Sequence, residues 1–588
     1  MDEGPVGLTR AAPGPAGLIP IVLGVTGHRD LHPDCVEKVR LAVRGFLSRT
    51  RAQFPNSPLW LLSGLAEGAD SLVAQEFLEK ADLGERELVA VLPFPKVEFE
   101  KDFKEPGALK GFRTLLGCAA HTVVVSPQIP IDGAARAVAY ERVGAYLVQH
   151  SNVFLALWNL RPSEKRGGTF QVVQFRRTGL PRSLDPGRSV LEPPETASTH
   201  VVGTRRKSDD DETSNSADQC GWYGPGARDG RPMLTAEQGD PLSEIRLARI
   251  DAYNRRARQV ILGHEGELAK AERRLLRGVE LESLPDGVLP LRAMRAFAVA
   301  TTLARQLRDR INRSYKVLLG IYLLAMLALQ IYGGPWMWVG MMMAYLGLFA
   351  VIEFLARWNS RQETDFFDAR GLAEGLRVLF YWRLAGLGTS VADNHLAGQK
   401  DEVGWIRQAL RSVESRCESQ EACEGGSALA AKHWVEEQTR YFNGGGRQVG
   451  AAAERERKAR LARVLMLVVR WMGIAAAATT IVLTFAADSC GDGPLQWLLV
   501  VSGMALLGAS VLDNYSTSMA WSEEAKRYTT MGIFFERAGR TLAELEKDRR
   551  PEDEVRSVLL EVGLEALNES SNWVLMHRER PLTVKIES

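Results

Sequence analysis

Three glycine-rich stretches carry the residue types from which a chain can build a phosphate or nucleotide site. The longest, Ser63-Gly64-Leu65-Ala66-Glu67-Gly68-Ala69-Asp70, lies between an apolar run, Pro58 to Leu62, and a helix-like segment, Ser71 to Lys80. A strand that ends in such a turn and opens a helix leaves backbone N–H groups without intrahelical acceptors. The positive end of the helix dipole adds to them, so an anion is favoured there. Asp70 would cap the helix or bond a ribose hydroxyl. Glu67 would be repelled by phosphate and so would contact sugar, base or a neighbouring amide. The second stretch, Gly24-Val25-Thr26-Gly27-His28-Arg29, offers amides and a cation, or else a turn with an exposed His-Arg pair. The third, Gly167-Gly168-Thr169, is flanked by Lys165 and Arg166. One glycine turn is a weak signal; three in register on one sheet edge are considerably stronger.

Other chemistries find little footing. The nine histidines form no HExxH pattern. The six cysteines (Cys35, Cys118, Cys220, Cys417, Cys423 and Cys490) are scattered without a CxxC pair, so neither a metal site nor a disulfide framework is expected. Cys35 and Cys118 have no identifiable activating partner. A net charge of +1 over 588 residues removes the broad basic field of a nucleic-acid binder.

The elements that must hold these turns follow from hydrophobic patterning. Ile19 to Val25 is a continuous apolar, β-branched run suited to a strand buried on both faces. Further strands are expected at Leu59–Leu62, Leu88–Leu92, His121–Ser126, Asn152–Trp158 and Thr199–Val202. Helical patterns fall at Cys35 to Ser48, Ser71 to Lys80, Gly133 to Gln149 and Thr169 to Arg177. This alternation predicts an α/β doubly wound parallel sheet, whose ligands bind at the carboxyl ends of strands. The glycine turns fall at those ends.

Four long apolar runs follow: Tyr315 to Tyr332, Trp336 to Leu355, Val464 to Ala487 and Leu495 to Leu512. Each is close to the ~20 residues that cross a bilayer, and the short turns between them make two helical hairpins. Four such runs fit poorly with the core helices of a soluble protein. Arg305, Arg308, Arg310, Arg313 and Lys316 precede the first run, and Arg357 and Arg361 follow the second. Arg455, Arg457, Lys458, Arg460 and Arg463 precede the third, and Lys526 and Arg527 lie beyond the fourth. Neither hairpin turn has a Lys or Arg, which places the turns outside and both terminal regions in the cytoplasm. Arg470, near the cytoplasmic end of its run, can snorkel to the interface. Beside it, Gly473 to Ala478 offers a small-residue packing or pore surface.

The expected order is therefore a flexible arm, 1–18, and a nucleotide-binding domain, 19–183, then a loosely packed insertion, 184–242, and a helical connector, 243–313. The first transmembrane hairpin covers 314–356, a cytoplasmic helical region 357–463, the second hairpin 464–512, and a cytoplasmic helical tail 513–588. The charge run Asp209–Glu212 reads as solvated loop.

At these turns the chain resembles the SLOG superfamily, the Rossmann-like group that joins the DprA/Smf DNA-processing proteins with the LOG nucleoside-monophosphate phosphoribohydrolases. The resemblance covers about the first third of the chain. Besides the three turns, Val91-Leu92-Pro93-Phe94 and Ala156-Leu157-Trp158-Asn159 carry it. It implies a nucleotide pocket formed by Gly24, Thr26, Gly27, His28, Arg29, Ser63, Gly64, Glu67, Gly68, Asp70, Gly167, Gly168 and Thr169, to which Arg142 and Asn159 are added by position. LOG enzymes place a catalytic glutamate soon after the last glycine turn. Here Thr169 is followed by Phe170-Gln171-Val172-Val173, which favours binding over catalysis. The two hairpins resemble a SLATT-like membrane module used twice, with family-like text at Asp368 to Arg377, Trp405-Ile406-Arg407 and Trp573 to Pro581. TRPM channels, whose SLOG-like region binds ADP-ribose-type ligands, offer a second parallel. The implied function is a non-enzymatic, nucleotide-sensing membrane effector of bacterial anti-phage type. It would sit in the inner membrane as an oligomer and open a pore on binding an NAD-derived or cyclic nucleotide. The alternatives are a membrane-tethered enzyme cleaving N-glycosidic bonds and a scaffold with a vestigial pocket. No metal, no resident cofactor and no nucleic-acid partner are expected.

Overall fold

β1 (Ile21–Gly27) sits at the middle of the chain's main sheet, and the side chains of its first six residues are buried, as its unbroken apolar pattern requires. It begins two residues later than the apolar run because the backbone of Ile19 is occupied elsewhere. Its N–H donates to Asn254 Oδ1 at 3.0 Å and its carbonyl accepts from Asn254 Nδ2 at 2.7 Å. In the computed structural model the described residues are 11–185, 187–188, 191–209, 219–226, 241–276, 289–332, 339–396, 403–415, 425–445, 448–486 and 492–579. The hairpin turns at 333–338 and 487–491, Asp210 to Glu212, and Cys417, Cys423 and Cys490 lie outside them.

Around β1 the sheet continues as β2 (Leu59–Ser63), β3 (Arg86–Leu92), β4 (His121–Val124), β5 (Val153–Trp158), β6 (Thr199–Gly203) and β7 (Cys220–Tyr223), in the order β4-β3-β2-β1-β5-β6-β7. β1 to β6 are parallel and β7 runs antiparallel on the edge. The doubly wound α/β fold is therefore present. β6 and β7 extend the sheet into the stretch 184–242, which the sequence suggests is a loose insertion. β7 escapes a reading by apolar runs because Cys220-Gly221-Trp222-Tyr223 is short and needs only one covered edge.

The crossovers are α1 (Pro33–Gln53), α2 (Ala69–Glu79), α3 (Lys96–Phe99), α4 (Pro106–Cys118), α5 (Gly133–His150) and α6 (Thr169–Thr178). α5 and α6 pack Val143, Leu147, Val172 and Phe175 into a core with Val22, Leu62, Val91 and Phe154 of the sheet. α7 (Pro241–Gly263) and α8 (Glu265–Glu272) follow, then α9 (Leu289–Tyr332) and α10 (Val339–Leu384).

The chain forms two compact units. The first comprises Met1–Ala300, Leu372–Gly426 and Ala566–Asn568. The end of α10, α11 (Val391–Asn394) and α12 (Gly404–Glu414) thus fold with the α/β domain. Arg407 reaches Glu192 at 3.3 Å, and Arg411 reaches Asp393 at 2.6 Å and also pairs with Glu195. Ser412 Oγ donates at 3.1 Å to Asn152 Oδ1, which also accepts the Val22 N–H at 2.8 Å.

The second unit comprises Thr301–Gly371, Ser427–Glu565 and Glu569–Ser588. It holds the rest of α9 and α10, then α13 (Gly426–Ala430) from Ser427 onward, a π-helical segment (Ala431–Glu436) and α14 (Glu437–Asn443). After them come α15 (Ala451–Ala486), α16 (Asp492–Ser518), α17 (Trp521–Lys547) and most of α18 (Glu552–Glu579). Four helical stretches, beginning at Leu291, Gly340, Ala451 and Trp497, are long and apolar enough to cross a membrane. Leu465, Trp471, Ile481 and Phe485 of α15 are exposed, as lipid-facing residues would be. α15 and α16 meet at Gly473. Ser502 Oγ donates to its carbonyl at 3.0 Å, and a Cβ on Gly473 would lie 3.1 Å from the Ala505 Cβ. Gly473 thus serves close packing within the hairpin.

Candidate ligand site at the strand-order reversal

The strand order reverses between β1 and β5, so their carboxyl ends diverge into the crevice where doubly wound sheets bind ligands. Two predicted site residues meet there. His28 Nε2 lies 3.0 Å from Asn159 Oδ1 and 3.1 Å from the Asn159 backbone nitrogen. With Nε2 bare the ring accepts that N–H; with Nε2 protonated it donates to the amide oxygen. Burial pushes the His28 pKa down, against the Asn159 hydrogen bond, which pulls it up. A neutral ring at physiological pH follows.

Asn159 is fixed from its other side. Its Nδ2 donates to Asp209 at 3.2 Å, and Asp209 also accepts the Arg206 N–H at 2.9 Å. Arg206 in turn pairs with Asp30 at 2.9 Å. Asp209 therefore differs from the solvated residue its charge run suggests: its side chain is 10% exposed and it is part of the site. Asp30, Arg206 and Asp209 escaped the glycine-turn reading. The signal available was topological, since a strand at Thr199–Val202 beside β5 must deliver the next loop to the β5 end.

Arg29 anchors the second half of the crevice. Its guanidinium lies over the Tyr140 ring, 4.8 Å from the centroid. Tyr140 donates its hydroxyl to Asp102, which Arg136 holds at 2.8 Å. Asp70 faces the same region: one oxygen sits 3.0 Å from where a Cβ on Gly64 would be, and the other is shielded from solvent without a hydrogen-bond partner among the described residues. Burial pushes the Asp70 carboxyl up to about 7, against the pull of Arg29 and of a hydrogen bond to the Ala66 backbone. Asp70 is thus neither an ordinary helix cap nor a fixed anion.

The glycine turns divide by role. Gly68 has φ +87°, and a Cβ there would fall 2.6 Å from the His28 carbonyl oxygen. A Cβ on Gly27 would overlap Ala69 and lie 2.9 Å from the Leu157 carbonyl. Both bring the start of α2 against the end of β1. That contact consumes one amide expected to be available to an anion, as Ala69 N–H donates to the His28 carbonyl at 3.0 Å; within the turn itself Leu65 N–H donates to Ser63 Oγ at 3.1 Å. Ser63 is fully buried and shapes the turn. Gly24 lies within β1, where a Cβ would strike the Phe154 ring at 2.7 Å; it is a packing glycine. Thr26, nearly buried in β1, pairs in register with Ala156.

In the third turn, Gly167 (φ +71°) seats against α5, where a Cβ would be 2.7 Å from the Tyr140 Cβ. Its N–H donates to Gln171 Oε1 at 2.6 Å, and Gln171 bonds Glu141, which pairs with Arg166 at 2.6 Å. Gly168 is the N-cap of α6 and its N–H donates to the Lys165 carbonyl at 3.0 Å; Thr169 follows as the first helical residue. This turn borders Tyr140 and hence Arg29. Arg142 is different. From α5 it donates to Ser126 Oγ at 3.4 Å, in the segment after β4. Glu67 makes no polar side-chain contact among the described residues.

The crevice is therefore bipolar. Arg29 and Arg206 offer positive charge, His28 and Asn159 offer neutral hydrogen bonds, and Asp70 is a carboxyl poised near neutrality. Such a set suits a polar ligand with a phosphate and a sugar or base. Fold and site together define a doubly wound α/β protein joined to four helices capable of spanning a membrane. No protein-family model matches the chain, and no curated protein matches it.

Proposed function

We propose that the chain is a nucleotide-sensing integral membrane effector. The observation that carries this reading is the meeting of His28, Asn159, Arg29 and Asp70 at the sheet's reversal point, in a chain with four membrane-capable helices. The ligand is an NAD-derived or cyclic signalling nucleotide, and the output is a pore or channel formed by an oligomer in the bacterial inner membrane, of anti-phage type. The SLOG-like turns support the first half of this reading and the SLATT-like hairpins the second. A nucleotide can shift the membrane state only by its differential affinity for the two conformations.

A nucleotide panel, read by thermal unfolding of the full chain, tests it. The cognate nucleotide at a hundredfold over its Kd adds about 2.7 kcal/mol of stability, and Arg29→Ala or Asn159→Ala removes the gain. No shift with any nucleotide favours a scaffold and overturns the proposal.

One observation favours a second reading. A buried carboxyl titrating near 7 is suited to general acid–base work, so Asp70 makes N-glycosidic cleavage the alternative. Turnover of NAD or a nucleoside monophosphate that Asp70→Asn abolishes would replace the sensor with an enzyme.

A further inference from the structure

The turn that follows β6 carries an acidic side chain to the place where an anionic ligand would be met. Leu31 and Arg206 form a backbone bridge, in which the His32 N–H donates to the Arg205 carbonyl at 2.8 Å and the Lys207 N–H to the Asp30 carbonyl at 2.9 Å. Arg206 also reaches the Asp30 carboxylate at 2.9 Å. The segment 204–209 is thereby strapped to the loop after β1, and Asp209 at its end crosses to the loop after β5. The Asp209 carboxylate accepts the Arg206 N–H at 2.9 Å and an Asn159 Nδ2 hydrogen at 3.2 Å, and the Arg161 guanidinium stands 4.0 Å away. A backbone amide, a side-chain amide and a guanidinium are the donors that bind a phosphate oxygen. Here they converge on one carboxylate, only 10% exposed. Burial raises its pKa, but the Arg206 N–H and Asn159 hydrogen bonds outweigh that and hold the carboxyl below its usual range. Asp209 is an anion at neutral pH.

We infer that Asp209 is a resident competitor of the ligand's phosphate: it occupies the anion subsite at Asn159 until the ligand displaces it. The inference rests on the nucleotide reading of the crevice and adds its regulation. The Oδ1 end of Asn159 faces His28, so the Nδ2 end is the one that offers hydrogen to an anion, and Asp209 lies there. Two anions that shared this end would repel each other. The side-chain clasp of the strap can yield. Arg206 and Asp30 are 41% and 34% exposed, and ion pairs of that exposure hold weakly. Opening withdraws Asp209 from Asn159 and leaves the Arg161 charge to the phosphate. Apparent affinity is therefore set by the release of Asp209 as well as by the contacts of the crevice.

Calorimetric titration of the full chain in detergent micelles with inorganic pyrophosphate tests it. Asp209→Asn removes the charge but keeps the volume and an oxygen to accept both N–H groups, whereas Asp209→Ala removes the acceptor. Both variants bind pyrophosphate at least tenfold more tightly than the wild type, and Asn159→Ala in the Asp209→Asn background abolishes the gain. A residue that merely orients Asn159 gives another pattern: weaker binding in Asp209→Ala and unchanged binding in Asp209→Asn. That pattern overturns the proposal, as does a gain that survives Asn159→Ala, or pyrophosphate binding to none of the proteins. The nucleotide panel, repeated on Asp209→Asn, separates this inference from the sensor reading. A nucleotide that binds wild type and Asp209→Asn alike overturns the competitor alone. A pyrophosphate gain without binding of any nucleotide leaves Asp209 the competitor of another phosphate ligand and overturns the sensor.

Discussion

Arg29 and Asp70 compete for the same electrostatic ground, and their balance makes the site sensitive to pH. The Asp70 carboxyl is pushed from an ordinary 3.8 to about 7, so the folded protein keeps a proton that the unfolded chain gives up between those values. Stability from this group is complete below pH 4 and is lost as pH rises through 7. Below 7 a neutral Asp70 also leaves the Arg29 charge to an anionic ligand. Nucleotide affinity is therefore higher at pH 6 than at pH 8, and calorimetric titration of Asp70→Asn shows that difference abolished. His200 behaves oppositely. Burial, with Arg49 adding to it, lowers its pKa to about 4, so its share of stability is present above pH 6.5 and fades as pH falls through 4. Replacing it with Phe, beside the Phe46 ring 4.8 Å away, reduces acid destabilisation in that window by roughly 1–3 kcal/mol in denaturant melts at pH 7 and 4.5. At this scale the sequence already names His28, Arg29 and Asp70. It does not say that Asp70 is close to neutral, because desolvation depends on what covers the carboxyl.

The junction of β1 with α2 is the element on which the site depends. Gly68 combines a left-handed φ with backbone closer than a side chain tolerates, so Gly68→Ala costs about 2–4 kcal/mol of unfolding free energy and weakens nucleotide binding as well. Gly24→Ala, blocked only by the Phe154 and Ser151 side chains, costs stability but leaves affinity per folded molecule unchanged. That contrast separates a site glycine from a packing glycine. On α12, Arg411 is nearly buried between Asp393 and Glu195. Arg411→Met leaves Asp393 and Glu195 to Arg407, at 3.8 and 3.5 Å, and destabilises the first unit by about 1–3 kcal/mol, measured by urea unfolding. Patterning reveals α12 as a helix. Nothing in its pattern reveals that it belongs with the sheet far upstream in the chain.

For the whole molecule, the proposal requires a sensor and a membrane response in one chain. Liposomes containing the full protein release a trapped dye on addition of the cognate nucleotide, and Asn159→Ala protein releases none at the same concentration. Leakage unaffected by any nucleotide separates the membrane helices from the sensor role. If the basic flanks set the orientation, Cys490, which the sequence puts in the second hairpin turn, lies outside. An impermeant maleimide therefore labels Cys490 in intact spheroplasts but leaves Cys220 unlabelled until the membrane is broken. The reverse pattern inverts the topology.

The amino-acid sequence by itself determined the alternating elements of the sheet, the glycine turns at strand ends and the four apolar runs. Each of these is written locally, in a two- or 3.6-residue period, a backbone requirement, or a length matched to a bilayer. Tertiary structure alone decided which turn residues face a ligand and which serve packing. It sent the Ala69 amide into the β1–α2 contact and the Leu65 amide to Ser63 Oγ, turned Arg142 to Ser126, and brought Asp209 and Arg206 from beyond β6 to Asn159. It also left the Asn359 amide buried without a hydrogen-bond partner among the described residues. These outcomes turn on distances between residues far apart in the chain, which packing sets and no local period encodes.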